Sequence, residues 1–312
     1  MKKITCLFLM LAASMGFCMA NTPKEIFRSQ DGNLSAEVAF GKGMTISLIY
    51  TDTGGESSEI VNLGPLLLRL SDGVLPVNAE KYEVSVENTT QSIATPLSRK
   101  SQIKEQYLSA DIHFHASRFT VMLRLYDKAF AYRFVLESDS PVVIKQADVK
   151  INLPSDPKSW IPYVNRQVRE TFDNQFFNSF ENVYAVHKVS EWEERRLAFL
   201  PILFDAGGGK KLLVTEADLM DYPGMYLYNF GQGTTLDGVF AKYPKAIEQG
   251  GHNMLQGVVK DREDYIAKFN AGKIEFPWRV FIVSDNDMQL LDNDIVATLA
   301  TPQIGDDYSW VK

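Results

Sequence analysis

Six carboxylates fall within 25 residues in the middle of the chain: Glu170, Asp173, Glu181, Glu191, Glu193 and Glu194. They are interleaved with Phe172, Phe176, Phe177, Phe180, Tyr184 and Trp192, and Trp160 lies shortly before them. Acids beside aromatic platforms suit a calcium-assisted sugar site, where carboxylates hold a hard cation or handle protons and rings stack on the sugar face. Composition alone favours a plainer reading, a solvated acidic loop with its rings tucked into a core. A second candidate is Thr215-Glu216-Ala217-Asp218-Leu219, followed by Asp221-Tyr222-Pro223-Gly224-Met225-Tyr226. Acids directly after a strand can sit at a loop mouth, but the same residues fit a capped turn reversed at Pro223-Gly224.

Two further patterns carry less. His113-Phe114-His115 puts two imidazoles on one strand face, and only Asp111 shares that alternation, so a surface or half-buried pair is the better fit. Ala206-Gly207-Gly208-Gly209-Lys210 lacks the spacing and the Ser/Thr of a phosphate loop and precedes a strand, so it reads as a hairpin turn. There is no Gly-x-Ser-x-Gly elbow, and no nucleophile pairs obviously with a histidine.

The elements that must position these residues are mostly strands. Over residues 34–136 the dominant period is two, as in Met44-Thr45-Ile46-Ser47-Leu48-Ile49-Tyr50 and in Phe119, Val121, Leu123 and Leu125 against Thr120, Arg124 and Tyr126. Turn signals recur at about ten-residue spacing, the rhythm of an antiparallel sandwich, not of a βαβ array. Residues 154–196 have no clean period. Strand-like runs resume at Lys211-Leu212-Leu213-Val214-Thr215 and at Trp278-Arg279-Val280-Phe281-Ile282-Val283. Residues 285–299 predict one helix, with Met288, Leu291, Ile295 and Leu299 on a face, Ser284 as cap and Pro302 as stop. The fold class is therefore all-β, a large antiparallel β-sandwich with one C-terminal helix.

Lys2 and Lys3, the apolar run that follows and Cys18-Met19-Ala20 predict a cleaved export leader over residues 1–20. Phe17 argues against lipidation at Cys18. Both cysteines lie in the leader, so the mature chain is expected to have no disulfide and no thiolate metal site. Thirty basic residues then face 39 acidic ones, a balance that disfavours nucleic acid and suits neutral sugars or divalent cations. No membrane span is expected after the leader, and the compartment is periplasmic or extracellular.

Several segments, in order, resemble the N-terminal domain of glycoside hydrolase family 97. They are Ser29-Gln30-Asp31-Gly32-Asn33-Leu34, Arg124-Leu125-Tyr126-Asp127 with Ala131-Tyr132-Arg133-Phe134, and Trp160-Ile161-Pro162. Ser179-Phe180-Glu181-Asn182-Val183-Tyr184 and the Thr215 to Met225 stretch follow, then Pro277-Trp278-Arg279 with Val283-Ser284-Asp285, and finally Ser309-Trp310-Val311-Lys312. The resemblance implies a large β-sandwich over residues 21–303 that precedes a (β/α)8 catalytic barrel in a periplasmic α-glucosidase or α-galactosidase. It implies an active-site calcium ion held mostly by barrel glutamates, with one glutamate donated by this domain.

The position matching that donor is Glu181; Glu216 is the reserve, and with Asp218 it marks a loop expected to face the active site. Residues 304–312 read as the start of a linker toward a barrel that does not follow, so catalytic residues are absent and the chain alone is expected to be inactive. The expected partners are that barrel, in cis or in trans, and an oligosaccharide. The competing readings are a stand-alone carbohydrate-binding or adhesion sandwich and a metalloenzyme built on His113 and His115. Exposed apolar side chains are expected around the Glu181 and Glu216 loops, with the terminal helix, Trp310 and Phe176-Phe177 among them.

Overall fold

The computed structural model describes residues 23–41, 43–95, 99–165, 171–178, 181–193 and 195–302. The export leader with Cys6 and Cys18, Glu170, Phe180, Glu194 and the 304–312 stretch with Trp310 lie outside the described residues.

Strict alternation produces strands with one wet and one dry face. In Met44–Thr51, the side chains of Met44, Ile46, Leu48 and Tyr50 are buried while those between them are half-exposed. Phe119–Tyr126 does the same with Phe119, Val121, Leu123 and Leu125. Such strands assemble into two large antiparallel sheets. The first runs, in spatial order, Lys24–Arg28, Leu34–Phe40, Met44–Thr51, Ser57–Leu70, Lys150–Asn152, Thr235–Phe240, Met225–Tyr228. Val142–Asp148 also pairs with Ser57–Leu70. The second runs Ala185–Lys188, Lys158–Ile161, Ile202–Gly207, Lys210–Ala217, Trp278–Ser284, Ala129–Ser138, Phe119–Tyr126, Gln102–Phe114, Glu83–Ala94. The inner faces share one apolar cluster, with Phe40, Phe114, Phe130, Tyr132 and Phe281 among its largest members. The architecture is an all-β sandwich, as the alternation predicts.

Two central strands of the second sheet, Ala129–Ser138 and Trp278–Ser284, are buried on both faces. Their inner side carries Phe130, Tyr132, Phe134 and Phe281. Their outer side carries small or flat residues, Ala129, Ala131 and Trp278, on which a helical layer sits. That layer is the stretch predicted over 285–299, formed as two five-residue helices, α1 (Asp287–Leu291) and α2 (Ile295–Leu299). Ile295 and Leu299 pack on Ala129, Ala131, Ala217 and Val280. Met288 and Leu291 remain exposed, because the chain breaks between the helices and only the second half of the predicted face meets the sheet. Asn286, not Ser284, caps α1, its side chain accepting from the Met288 N–H at 2.9 Å. Ser284 accepts from the Asn286 N–H instead and so fixes the residue that caps.

The aperiodic middle contributes two four-residue strands, Lys158–Ile161 and Ala185–Lys188, at one edge of the second sheet. Strands this short hold too few alternations to stand out in sequence. The Gly-rich stretch after Asp205 is a tight turn between Ile202–Gly207 and Lys210–Ala217, with Gly208 and Gly209 at φ of 58° and 78°. Left-handed backbone at both positions is what this hairpin turn demands and what side chains resist. No helix among the described residues is long and apolar enough to cross a membrane.

Candidate functional site

The described carboxylates of the middle segment, Asp173, Glu181, Glu191 and Glu193, do not converge. Glu191 folds back to accept from the Lys188 N–H at 3.1 Å and closes a turn. Glu193 pairs with Arg196 at 2.7 Å. Asp173 is exposed on a short 3-10 turn, Asp173–Phe176. The aromatics divide as well. Trp192 is buried and its ring N–H donates to Ser159 at 2.8 Å. Phe172 and Phe176 pack with Tyr226, Tyr228 and Val239 in a small satellite core on the outer face of the first sheet. The folded ring cluster is what the plainer reading expects.

Glu181 is different. It sits on an exposed loop, residues 181–184, that leads into the edge strand Ala185–Lys188. No cation or donor among the described residues pairs with its carboxylate. Around it in sequence, Phe177 is 37% exposed, Val183 93% and Tyr184 39%, and Val186 is exposed too. Apolar side chains held out to water beside an uncommitted acid are costly unless something covers them.

Glu216 and Asp218 are both committed. Glu216 lies opposite Arg279 in the register of Lys210–Ala217 with Trp278–Ser284, and the two side chains form a short ion pair. The Met225 N–H donates to both Glu216 oxygens, at 3.1 and 3.2 Å. Gly224 allows this approach, since a Cβ there would stand 3.2 Å from a Glu216 oxygen. Burial raises the Glu216 carboxyl above its ordinary range, opposed by Arg279 and the Met225 N–H. Asp218 adopts a left-handed backbone (φ 57°) and accepts from the Thr301 N–H at 2.8 Å and its hydroxyl at 2.6 Å. Its other oxygen faces Arg133 at 3.5 Å. These two acids lock the loop and tie the segment after α2 to the sheet; the capped-turn reading expects Asp218 to bond a local amide, whereas its side chain bonds Thr301, 83 residues away.

Asp218→Ala removes two hydrogen bonds and places an alanine at positive φ, so it is expected to cost about 1–3 kcal/mol. Urea unfolding measures this, and Asp218→Asn, which tolerates the backbone, should recover part of it.

His113 bonds Ser85 and Thr120, each at 3.1 Å, and His115 reaches Glu83 at 2.9 Å. Neither joins a ligand set: among the described residues no three His, Cys, Asp or Glu side chains are grouped to hold a metal ion. Calcium takes six to eight oxygens. No such group surrounds Glu181 among the described residues, so its single carboxylate fits as one contributor to a site completed by other groups.

The buried cations are the residues that motif spacing misses. Arg133 and Arg279 stand in runs of apolar and aromatic residues, AFAYRFVL and WRVFIV. A lone charge in such a run must find a partner once buried. That signal is present in the chain, and the partners it demands are Asp218, Glu275 and Glu216.

A family model described as glycosyl-hydrolase 97 N-terminal matches residues 27–302. The chain belongs to this family. A retaining α-galactosidase of Bacteroides thetaiotaomicron is 34% identical over 313 residues, covering all of this chain and 46% of the galactosidase. The chain thus spans about half the length of that relative. Among solved structures, a glycoside hydrolase family 97 enzyme of Pseudoalteromonas sp. strain K8 in complex with acarbose superposes with a TM-score of 0.69 at 16% identity, over 92% of this chain and 40% of the enzyme. A β-arabinopyranosidase gives 0.59 at 17% identity, over 84% and 40%. At these identities the two structures speak for the fold alone.

Proposed function

We propose that this family 97 N-terminal domain is the accessory β-sandwich of an exported, calcium-dependent, exo-acting α-glycosidase, an α-glucosidase or α-galactosidase. It packs on a (β/α)8 catalytic barrel, in cis or in trans, and donates the Glu181 carboxylate to the active-site calcium ion. The observation that carries this reading is the contrast among the three candidate acids. Glu216 and Asp218 are consumed by internal pairs, whereas Glu181 is exposed, unpaired among the described residues and flanked by exposed Phe177, Val183 and Tyr184. A barrel surface over this loop would bury those side chains and supply the oxygens that the described residues lack. The 34% identity to a retaining α-galactosidase supports the α-glycosidase class. The leader sequence supports export to the periplasm or beyond.

The test is turnover of an aryl α-glycoside by the 312-residue chain alone, and by the same chain produced with a family 97 barrel, each with calcium and with EDTA. The expected result is no turnover from the chain alone and calcium-dependent turnover with the barrel. Activity from the chain alone overturns the reading.

A further inference from the structure

We propose that the outer face of the first sheet carries a binding cleft for a neutral oligosaccharide, separate from the Glu181 loop. A cleft of about 530 Å³ opens there, between the sheet and the satellite core of Phe172 and Phe176. Its floor is a ladder of alternating charge across neighbouring strands, Arg69, Asp148, Lys150 and Asp237. Arg69 bonds Asp148 at 2.6 Å, and Lys150 bonds the directly opposed Asp237 at 2.6 Å. Lys145, also in the lining, is paired with Asp264 at 2.5 Å.

Lys242 and Asp173, also in the lining, add one charge of each sign, so the cleft has little net charge with which to hold an anion or a metal ion. What it offers is density of hydrogen bonding. The ammonium of Lys150 and the guanidinium of Arg69 have N–H groups left over, and the paired oxygens of Asp148 and Asp237 keep lone pairs that can accept, while the second Asp237 oxygen is shut away from solvent. A ring bearing several hydroxyls both donates and accepts at short spacing, which matches alternating donors and acceptors.

The second observation is a prepared aromatic wall. Phe230, in the lining, is 54% exposed, although the loop that bears it is tightly fixed. Buried Asn229 accepts from the N–H groups of Gly231 (2.8 Å) and Gln232 (3.2 Å). It also donates to the carbonyls of Val189 and Gly233, both at 2.9 Å. Gly231 and Gly233 take positive φ to close the turn. Tyr228 backs the Phe230 ring, with centroids 4.3 Å apart. A rigid loop holding an apolar ring over a polar floor is pre-organised for a ligand with one apolar face and a hydroxylated rim, and a pyranose has both.

Calorimetric titration of the 312-residue chain with maltotriose and with raffinose, in EDTA, tests this. Saturable binding with a Kd of about 1 mM or tighter is expected for at least one. Phe230→Ala is expected to weaken it about fivefold or more without changing the melting temperature, and Phe230→Trp to retain it. Arg69→Ala, at an exposed floor position, should also weaken it. Glu181→Gln should leave it unchanged, which separates the cleft from the calcium role. No saturable binding, equal binding by Phe230→Ala, or tighter binding of glucuronate than of either neutral sugar overturns the proposal.

Discussion

Arg279→Ala is expected to destabilise the chain by about 3–5 kcal/mol, a large share of an ordinary domain's stability. Arg279 is 4% exposed, pairs with Glu216 and lies 5.0 Å from the Phe240 ring centroid. Its loss leaves the Glu216 carboxylate in an apolar pocket with only the Met225 N–H for compensation. Much of the cost is that stranded charge, so Arg279→Met with Glu216→Gln should recover most of it while keeping an acceptor for Met225. Urea unfolding measures both, and a loss below about 1 kcal/mol for Arg279→Ala contradicts the assignment.

The pH dependence follows from the same pair. Burial raises the folded carboxyl above its ordinary 4.5, so the folded chain holds this proton more tightly than the unfolded one. Its contribution is full below that ordinary value and is lost as pH rises through the folded value. Without Arg279 the folded value climbs further. The deficit of Arg279→Ala against the unaltered chain is therefore expected to be smaller at about pH 5 than at about pH 7.5. The comparison between the two chains cancels the many exposed acids that titrate in both.

Glu181→Gln, made in a form carrying the catalytic barrel, is expected to raise the calcium concentration needed for half-maximal activity about 10–100-fold. Glutamine keeps the size and one oxygen but removes the charge a hard cation prefers. Because Glu181 is exposed and unpaired among the described residues, the change should leave the melting temperature of the isolated chain unaltered. A role that was merely structural would show the opposite pattern. Asp173→Asn, at another exposed acid of the same segment, is the control and should change neither quantity. Activation by calcium that is indifferent to Glu181→Gln removes this residue from the proposed site.

The sandwich is largely legible in the amino-acid sequence, because burial on one face of a strand imposes period two. The patterns at Met44–Thr51 and Phe119–Tyr126 reappear residue for residue as buried and half-buried positions. The helical layer is legible in place but not in form. Spacing puts Met288, Leu291, Ile295 and Leu299 on one stripe, yet only Ile295 and Leu299 meet the alanine-floored sheet. The short strands Lys158–Ile161 and Ala185–Lys188 are not legible, since four residues at a sheet edge carry almost no periodic signal.

For the candidate site the division is sharper. The sequence by itself determined the inventory: which acids exist, that they crowd between residues 170 and 194, and that aromatic rings accompany them. It also determined the alternation that builds both sheets, because side-chain polarity and spacing are local properties. Only the tertiary structure decided which acids are spent. Glu216 and Glu181 look alike in sequence, each an acid in a stretch that also carries apolar residues. Strand pairing sets Arg279 opposite Glu216 across 63 residues of chain and leaves Glu181 on a loop that no cation among the described residues reaches. A carboxylate's chemistry depends on its partners and its burial, and both are set by contacts between segments far apart in sequence.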